Sequence, residues 1–307
     1  MAIREAMPQA AQVPDGLEPI VNDFSIVVAT ANGTGSQTSN LTIIRALFKM
    51  GIPVNGKNIF PSNIQGLPTW YHIRASKDGY TARRETSEIL VAFNQATVAQ
   101  DIEILPPGGI CIYNENMRGV PTRDDITMYP VPVNSMLREV GAKGAFRDRY
   151  TNMFYVGVVA WLLGIDLEAV DQALSIHFAR RRKLVDMNMD VINMMYKWAA
   201  ENLEKKDPYT VEPMDKTDGQ IIITGNEAAG LGSVFGGMTV CTWYPITPST
   251  SLVDALNTYL PKLRKNSESG KPTYAVLQAE DELAAIGMVL GAGWAGARAM
   301  TATSGPG

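Results

Sequence analysis

The chain has 307 residues, of which 46% are hydrophobic and 19% charged, and a formal net charge of -4. That balance leaves room for two ordinary hydrophobic cores and argues against a general nucleic-acid binder. Two cysteines, Cys111 and Cys241, and two histidines, His72 and His177, cannot form a CxxC metal site or hold an iron–sulfur cluster alone, so difficult chemistry is expected to come from a bound cofactor.

Met1 to Asp23 has Pro, Gln and acidic residues without an apolar h-region, and reads as a flexible lead-in over residues 1–22. Phe24 to Thr30 is a buried-strand pattern. It runs into Ala31-Asn32-Gly33-Thr34-Gly35-Ser36-Gln37-Thr38 and a helix carrying Leu41, Ile44, Leu47 and Phe48. Strand, glycine loop and helix partly match the dinucleotide fingerprint, but Thr38 stands at the third glycine position and no acid follows ~20 residues on. A plain glycine turn is the simpler reading. From Phe24 to Lys77 there is no Asp or Glu, whereas Arg45, Lys49, Lys57, Arg74 and Lys77 are present. Either these make a positive face for an anionic partner, such as coenzyme A phosphates or an acidic protein, or they scatter over several faces.

Gly66 to Arg74 reads as a loop entering a strand, and Ile89–Phe93 and Gly109–Tyr113 as further strands. Tyr150 to Gly164, Leu167 to Phe178 and Leu184 to Lys206 read as helices, with Met187, Met189, Met194 and Met195 as packing. The run Met153 to Ile165 is too short to span a bilayer, so no membrane role follows. Arg180-Arg181-Arg182-Lys183 reads as a solvated helix end, and 207–219, with two prolines and five charges, as a linker.

Beyond the linker, Ile221 to Thr224 reads as a short strand and Glu227 to Gly237 as a small-residue helix. A βαβαβ rhythm follows. Strand Thr239–Trp243 enters the turn Tyr244-Pro245-Ile246-Thr247-Pro248, where Thr247 reads as an N-cap and Pro248 as the first helical residue. Leu252, Val253, Leu256, Tyr259, Leu260 and Leu263 recur behind it at helical spacing. Strand Tyr274–Leu277 leads to Gln278-Ala279-Glu280-Asp281-Glu282, and strand Arg298–Thr303 to Ser304-Gly305-Pro306-Gly307. Right-handed crossovers make such strands parallel, which puts all three turns on the rim where open α/β sheets bind ligands. Glu280 is either a first-turn acid complementing a helix dipole or a carboxylate that exchanges protons against an apolar ligand.

The motifs Tyr244–Thr250, Gln278–Glu282 and Ala297–Gly307 resemble the α subunit of 2-oxoacid:ferredoxin oxidoreductases in sequence, order and spacing. Phe24 to about Lys206 is similar to that family's γ domain, fused ahead of the α domain as in 2-oxoglutarate:ferredoxin oxidoreductases. The loop at Gly33 is a less glycine-rich version of the family's pattern. The fold expected is α/β, with a γ-type domain over 23–206, the linker 207–219, and the first part of a parallel-sheet, thiamine-pyrimidine-binding domain over 220–307. Because the sequence stops inside a glycine turn, it is expected to be part of a longer chain.

The resemblance implies thiamine pyrophosphate shared with a β subunit that carries Mg2+ and a [4Fe-4S] cluster. It also implies ferredoxin, coenzyme A and a 2-oxo acid as partners, a cytoplasmic (αβ)2 assembly, and a preference for 2-oxoglutarate over pyruvate or branched 2-oxo acids. Glu280 matches the glutamate that bonds the pyrimidine ring nitrogen, with Glu282 close enough in sequence to exchange places with it. Thr247 matches the threonine that contacts the substrate, and Tyr244, Pro245 and Ile246 lie in the cofactor-contacting turn. No metal ligand is expected on this chain. A non-catalytic assembly subunit and a nucleotide-binding protein using Gly33 and Gly35 are the competing classes.

Overall fold

Phe24 to Ala29 are all buried, the continuous burial expected of a strand covered on both faces. A computed structural model describes residues 6–60, 66–144, 146–179 and 181–305 of the chain. Arg180, and Pro306 and Gly307 of the last glycine turn, lie outside the described residues. The chain divides into two compact units, Met1–Gln220 and Ile221–Gly307.

The first unit runs β1 (Ile20–Val21), β2 (Asp23–Ala31), α1 (Ser36–Lys49), β3 (Val54–Ile59), β4 (Pro68–Ser76), β5 (Ile89–Ala92), α2 (Val98–Glu103), β6 (Ile110–Asn114), β7 (Thr127–Val131), α3 (Val133–Glu139), α4 (Phe146–Leu163), α5 (Leu167–His177), α6 (Arg182–Asn202) and β8 (Tyr209–Thr210). Six strands form one sheet in the order β3-β4-β2-β5-β6-β7. β2, β5, β6 and β7 are parallel, while β4 pairs antiparallel with both β2 and β3.

Side chains alternate across β2, as the pleat requires. Ile26 and Val28 join the large core with α1, α4, α5 and α6. Val27 and Ala29 join a smaller one with Leu90, Ala92, Ile102 and Cys111. From Asn152 to Leu163 every residue of α4 is buried. Gly157 permits this, because a Cβ there would lie 2.5 Å from the Ile192 carbonyl oxygen and 2.8 Å from the Met195 Cβ. Helices α4 and α6 therefore touch backbone to backbone at that point.

Two stretches differ from the sequence expectation. Of the proposed flexible lead-in, residues 1–5 lie outside the described residues and the rest is docked: Met7, Ala10 and Ala11 pack on the large core, the Ala11 N–H donates to the Trp161 carbonyl, and β1 pairs in parallel with β8. Residues 207–219, read as a linker, belong to the first unit. Asp207 is 1% exposed. It accepts from the Lys205 ammonium at 2.8 Å and from the Tyr129 hydroxyl at 2.6 Å, and the Met214 N–H donates to the Met50 carbonyl at 2.7 Å. Charged residues that find one another in a core give the same composition as a solvated linker, so composition misleads here.

The second unit runs α7 (Gly225–Phe235), β9 (Val240–Trp243), α8 (Thr250–Leu263), β10 (Ala275–Gln278), α9 (Glu282–Trp294) and β11 (Ala299–Met300). Ile221–Thr224 forms no strand. Thr224 instead caps α7, accepting from the Glu227 N–H at 3.2 Å, while the Glu227 carboxylate accepts from the Thr224 N–H at 2.9 Å. The sheet order is β10-β9-β11, and both pairings are parallel. Helix α8 buries Val253, Leu256 and Leu260 against Cys241 of β9 and Val234 of α7. The α/β class expected from the sequence holds in both units.

Candidate functional site

Because β9, β10 and β11 are parallel, their carboxyl ends share one rim of the second unit. β9 holds the centre of the sheet, so the turn that follows it lies between the other two. The Ala279 N–H donates to the Trp243 carbonyl at 2.7 Å, and the Thr242 hydroxyl to the Ala285 carbonyl at 2.7 Å. These two bonds fasten the loop after β10 and the start of α9 to the end of β9.

The turn itself is organised around the Ile246 carbonyl. It accepts from the Thr250 N–H at 3.0 Å, the Ser249 hydroxyl at 3.0 Å and the Thr250 hydroxyl at 3.2 Å. Helix α8 consequently begins at Thr250 with Ser249 as its N-cap. The expected capping pair, Thr247 and Pro248, instead forms part of the turn, with a cis peptide bond between them. Asn226 of α7 braces it, donating to the Pro248 carbonyl at 2.8 Å and to the Ser251 hydroxyl at 2.7 Å.

A cavity of about 690 Å³ opens on this rim. The turn after β9 contributes Tyr244 and Ile246, α9 contributes Glu282, Leu283, Ala285 and Ile286, and the segment after β11 contributes Thr301 to Ser304. Its walls are mainly aliphatic, with one carboxylate, three aliphatic hydroxyls and a phenol. Asp281 caps α9 by accepting from the Ala284 N–H at 2.7 Å, which sets Glu282 as the first helical residue and turns it to the cavity.

Among the residues singled out from the sequence, Tyr244 and Ile246 line this cavity. Pro245, Thr247 and Glu280 do not; all three are exposed. Glu282, the neighbour that could exchange places with Glu280 in sequence, is half-buried at the wall. Sequence reasoning missed Leu283 and Ile286, although their apolar character at the start of a helix next to an acidic loop was a usable signal.

Burial pushes the Cys241 thiol up to about 11 and the Cys111 thiol higher still, so neither is a nucleophile near neutral pH. Among the described residues, no group of three His, Cys, Asp or Glu side chains could hold a metal ion. No helix there is long and apolar enough to cross a membrane. The basic residues of the acid-free stretch do not form one face. Arg45 and Lys49 lie on α1, whereas Lys57 and Arg74 line a cavity at β3 and β4, with Arg74 buried and paired to Asp23. At the other notable loop, Gly33 and Gly35 take left-handed φ of 83° and 88° as the glycine turn ahead of α1.

Fold and rim define an α/β protein whose second unit opens a cavity where three parallel strands end. Residues 25–198 match the family model described as pyruvate ferredoxin/flavodoxin oxidoreductase. Residues 232–307 match the model described as pyruvate flavodoxin/ferredoxin oxidoreductase, thiamine diphosphate-binding. The chain belongs to the pyruvate ferredoxin/flavodoxin oxidoreductase family.

It is similar to subunit alpha of 2-oxoacid:ferredoxin oxidoreductase 2 from Aeropyrum pernix, at 28% identity over 93% of this chain and 51% of the relative. It is also similar to 2-oxoglutarate oxidoreductase subunit KorA from Mycobacterium tuberculosis, at 28% identity over 72% of this chain and 36% of the relative. Among solved structures it resembles 2-oxoglutarate:ferredoxin oxidoreductase from Magnetococcus marinus with 2-oxoglutarate, coenzyme A and succinyl-CoA bound. The TM-score is 0.76 at 31% identity, covering 93% of this chain and 48% of that one. The chain thus spans about half the length of the first relatives it matches.

Proposed function

We propose that this chain is the α subunit of a thiamine-pyrophosphate-dependent 2-oxoacid:ferredoxin oxidoreductase, which converts a 2-oxo acid to its acyl-CoA and reduces ferredoxin. The observation that carries this reading is the convergence of Tyr244, Ile246, Glu282 and Thr301–Ser304 on one cavity, within the stretch matched to a thiamine-diphosphate-binding family model. A 2-oxoglutarate preference is favoured over pyruvate or branched 2-oxo acids, in line with the names of the M. tuberculosis and M. marinus relatives. The β subunit carries Mg2+ and the [4Fe-4S] cluster, the assembly is (αβ)2, and it works in the cytoplasm.

The cavity suits the aminopyrimidine end of the cofactor. Ile246, Leu283, Ala285 and Ile286 offer apolar surface to the faces of a flat ring, and a rim carboxylate can meet a ring nitrogen at its edge. No Lys or Arg lines the cavity, so this chain's contribution fits the ring better than the diphosphate. When bound, thiamine pyrophosphate would supply a carbon nucleophile for the 2-oxo carbon and, in its thiazolium ring, a sink for the electron pair released with CO2. The Glu280 carboxylate holds a proton against the ring nitrogen. Its exposure on the isolated chain suits a site closed by a partner. Glu282 is the alternative, already at the cavity wall. The Thr247 hydroxyl orients the substrate, and Leu283 and Ile286 exclude water.

The deciding experiment uses the α/β enzyme with Glu280→Ala and Glu282→Ala. The expected result for Glu280→Ala is a loss of roughly 10² to 10⁴-fold in 2-oxo-acid- and coenzyme-A-dependent ferredoxin reduction, with assembly intact. Should Glu282→Ala alone show this loss, the role passes to Glu282. Full activity in both variants would remove the proposed proton relay.

A further inference from the structure

Four buried side-chain polar atoms among the described residues lack a hydrogen-bond partner, and three of them belong to residues that line one small cavity. They are the Ser25 hydroxyl, Nδ1 of His72 and Nε of Arg74. Buried polar groups are partnered in the great majority of cases, so three orphans around one void call for a bound species. Ser25 is 4% exposed and Arg74 7%. These residues are part of a built interior, set by the register that places Ser25 opposite Arg74 on β2 and β4.

The void measures about 10 Å³, enough for one water-sized particle. Arg74 Nε can only donate, the Ser25 hydroxyl can donate, and His72 Nδ1 donates in the tautomer that carries the proton there. The cavity therefore favours an acceptor. Its charge points the same way. Lys57, Arg74, Arg83 and Arg84 all line it. Two carboxylates offset them: Asp23 pairs with Arg74, and Glu88 pairs with Arg84 at 3.2 Å while accepting from the Ser25 N–H at 2.7 Å. Among the described residues no carboxylate pairs with Lys57 or Arg83, so a local positive excess remains. Burial and the nearby Arg83 charge lower the His72 imidazole to about 4, so the ring is neutral at pH 7 and the excess comes from the fixed cations.

We propose that this cavity binds one small inorganic anion of halide size, held by Ser25, His72 and Arg74 and covered by Arg83. The anion would fasten the segment bearing Thr81, Arg83, Arg84 and Ser87 to the β3-β4-β2 side of the sheet. This inference is independent of the catalytic reading, because none of these residues belongs to the second unit.

The test uses the full chain at constant ionic strength, with sodium gluconate replaced stepwise by sodium chloride, sodium bromide or sodium phosphate. Chloride and bromide are expected to raise the unfolding temperature of the first unit saturably, by a few degrees, and Arg83→Gln and Ser25→Ala to abolish that rise. Crystals grown in bromide are expected to show one anomalous peak within hydrogen-bond reach of Ser25 and Arg74, a readout that does not depend on the variants folding. Water as the occupant predicts no anion-specific shift and no bromide peak, which overturns the proposal. Stabilisation by phosphate alone also overturns it, since an oxyanion that size would sit at the mouth and not in the void.

Discussion

The backbone N–H of Ala279 donates to the carbonyl of Trp243 over 2.7 Å, so the residue preceding Glu280 is fastened to the residue preceding Tyr244. The acidic loop and the proline turn are two segments of one hydrogen-bonded rim, and a change in either is felt by the other.

Asp281 is the clearest lever on that rim. Its side chain accepts the Ala284 N–H at 2.7 Å, and Asp281→Ala is expected to destabilise α9 by about 1 kcal/mol. Fraying of that first turn displaces Glu282, so the apparent KM for thiamine pyrophosphate should rise more than kcat falls. Titration of the cofactor into the assembled variant checks this; an unchanged affinity would show that the α9 start is not coupled to the cofactor.

Gly157→Ala tests the contact between α4 and α6. A Cβ at 2.5 Å from the Ile192 oxygen cannot be accommodated without separating the helices. Overpacking at such a site is expected to lower unfolding free energy by about 1 to 3 kcal/mol or somewhat more. Urea denaturation monitored on the first unit measures it.

Lys205 and Asp207 form a buried pair, with side chains 3% and 1% exposed. Lys205→Met leaves the Asp207 carboxylate buried with only the Tyr129 hydroxyl and the Tyr209 N–H, and is expected to destabilise by about 3 to 5 kcal/mol. The double variant Lys205→Met with Asp207→Leu should recover much of that loss. A double variant as unstable as the single one would mean that the hydrogen bonds matter here and the charge balance does not.

His72 gives a pH dependence with a definite sign. Its folded-state value is lowered from 6.5 to about 4, first by burial and then by Arg83. The unfolded chain therefore binds the extra proton more readily, and stability falls as pH drops from about 6.5 through 4. At the lower end this amounts to roughly 1 to 3 kcal/mol. His177 is lowered as well, by burial and then by Arg45, so it adds to the slope with the same sign. His72→Gln should flatten part of the acid limb in unfolding experiments between pH 4 and 7, and an unaltered limb would count against the burial of a neutral imidazole.

Legibility followed burial. The run from Phe24 to Thr30 announces β2 because both faces of that strand are covered, and the α8 stripe of Val253, Leu256 and Leu260 announces a helix with one buried side. The strands that escaped notice are the sheet's edges, whose residues answer to water on one side. β3 reads Val-Asn-Gly-Lys-Asn-Ile, and β7 carries Pro130, which an edge tolerates. Conversely, Ile221 and Ile222 look like a strand but are 74% and 37% exposed. At the rim, the sequence pointed to the turn and the acidic loop. Which carboxylate faces the cavity depends on the start of α9 within a run of three acids, and a run of acids does not encode that choice.

The pairing of β1 with β8, backed by the Asn22 amide donating to the Glu212 carbonyl 190 positions away, bears on how the chain matures on the ribosome. Residues 20–22 can complete these contacts only after nearly the whole first unit has been translated, because the partners are β8 and the loop beyond it. Contacts so distant in sequence form late. Residues 20–22 are then among the last of the first unit to lock.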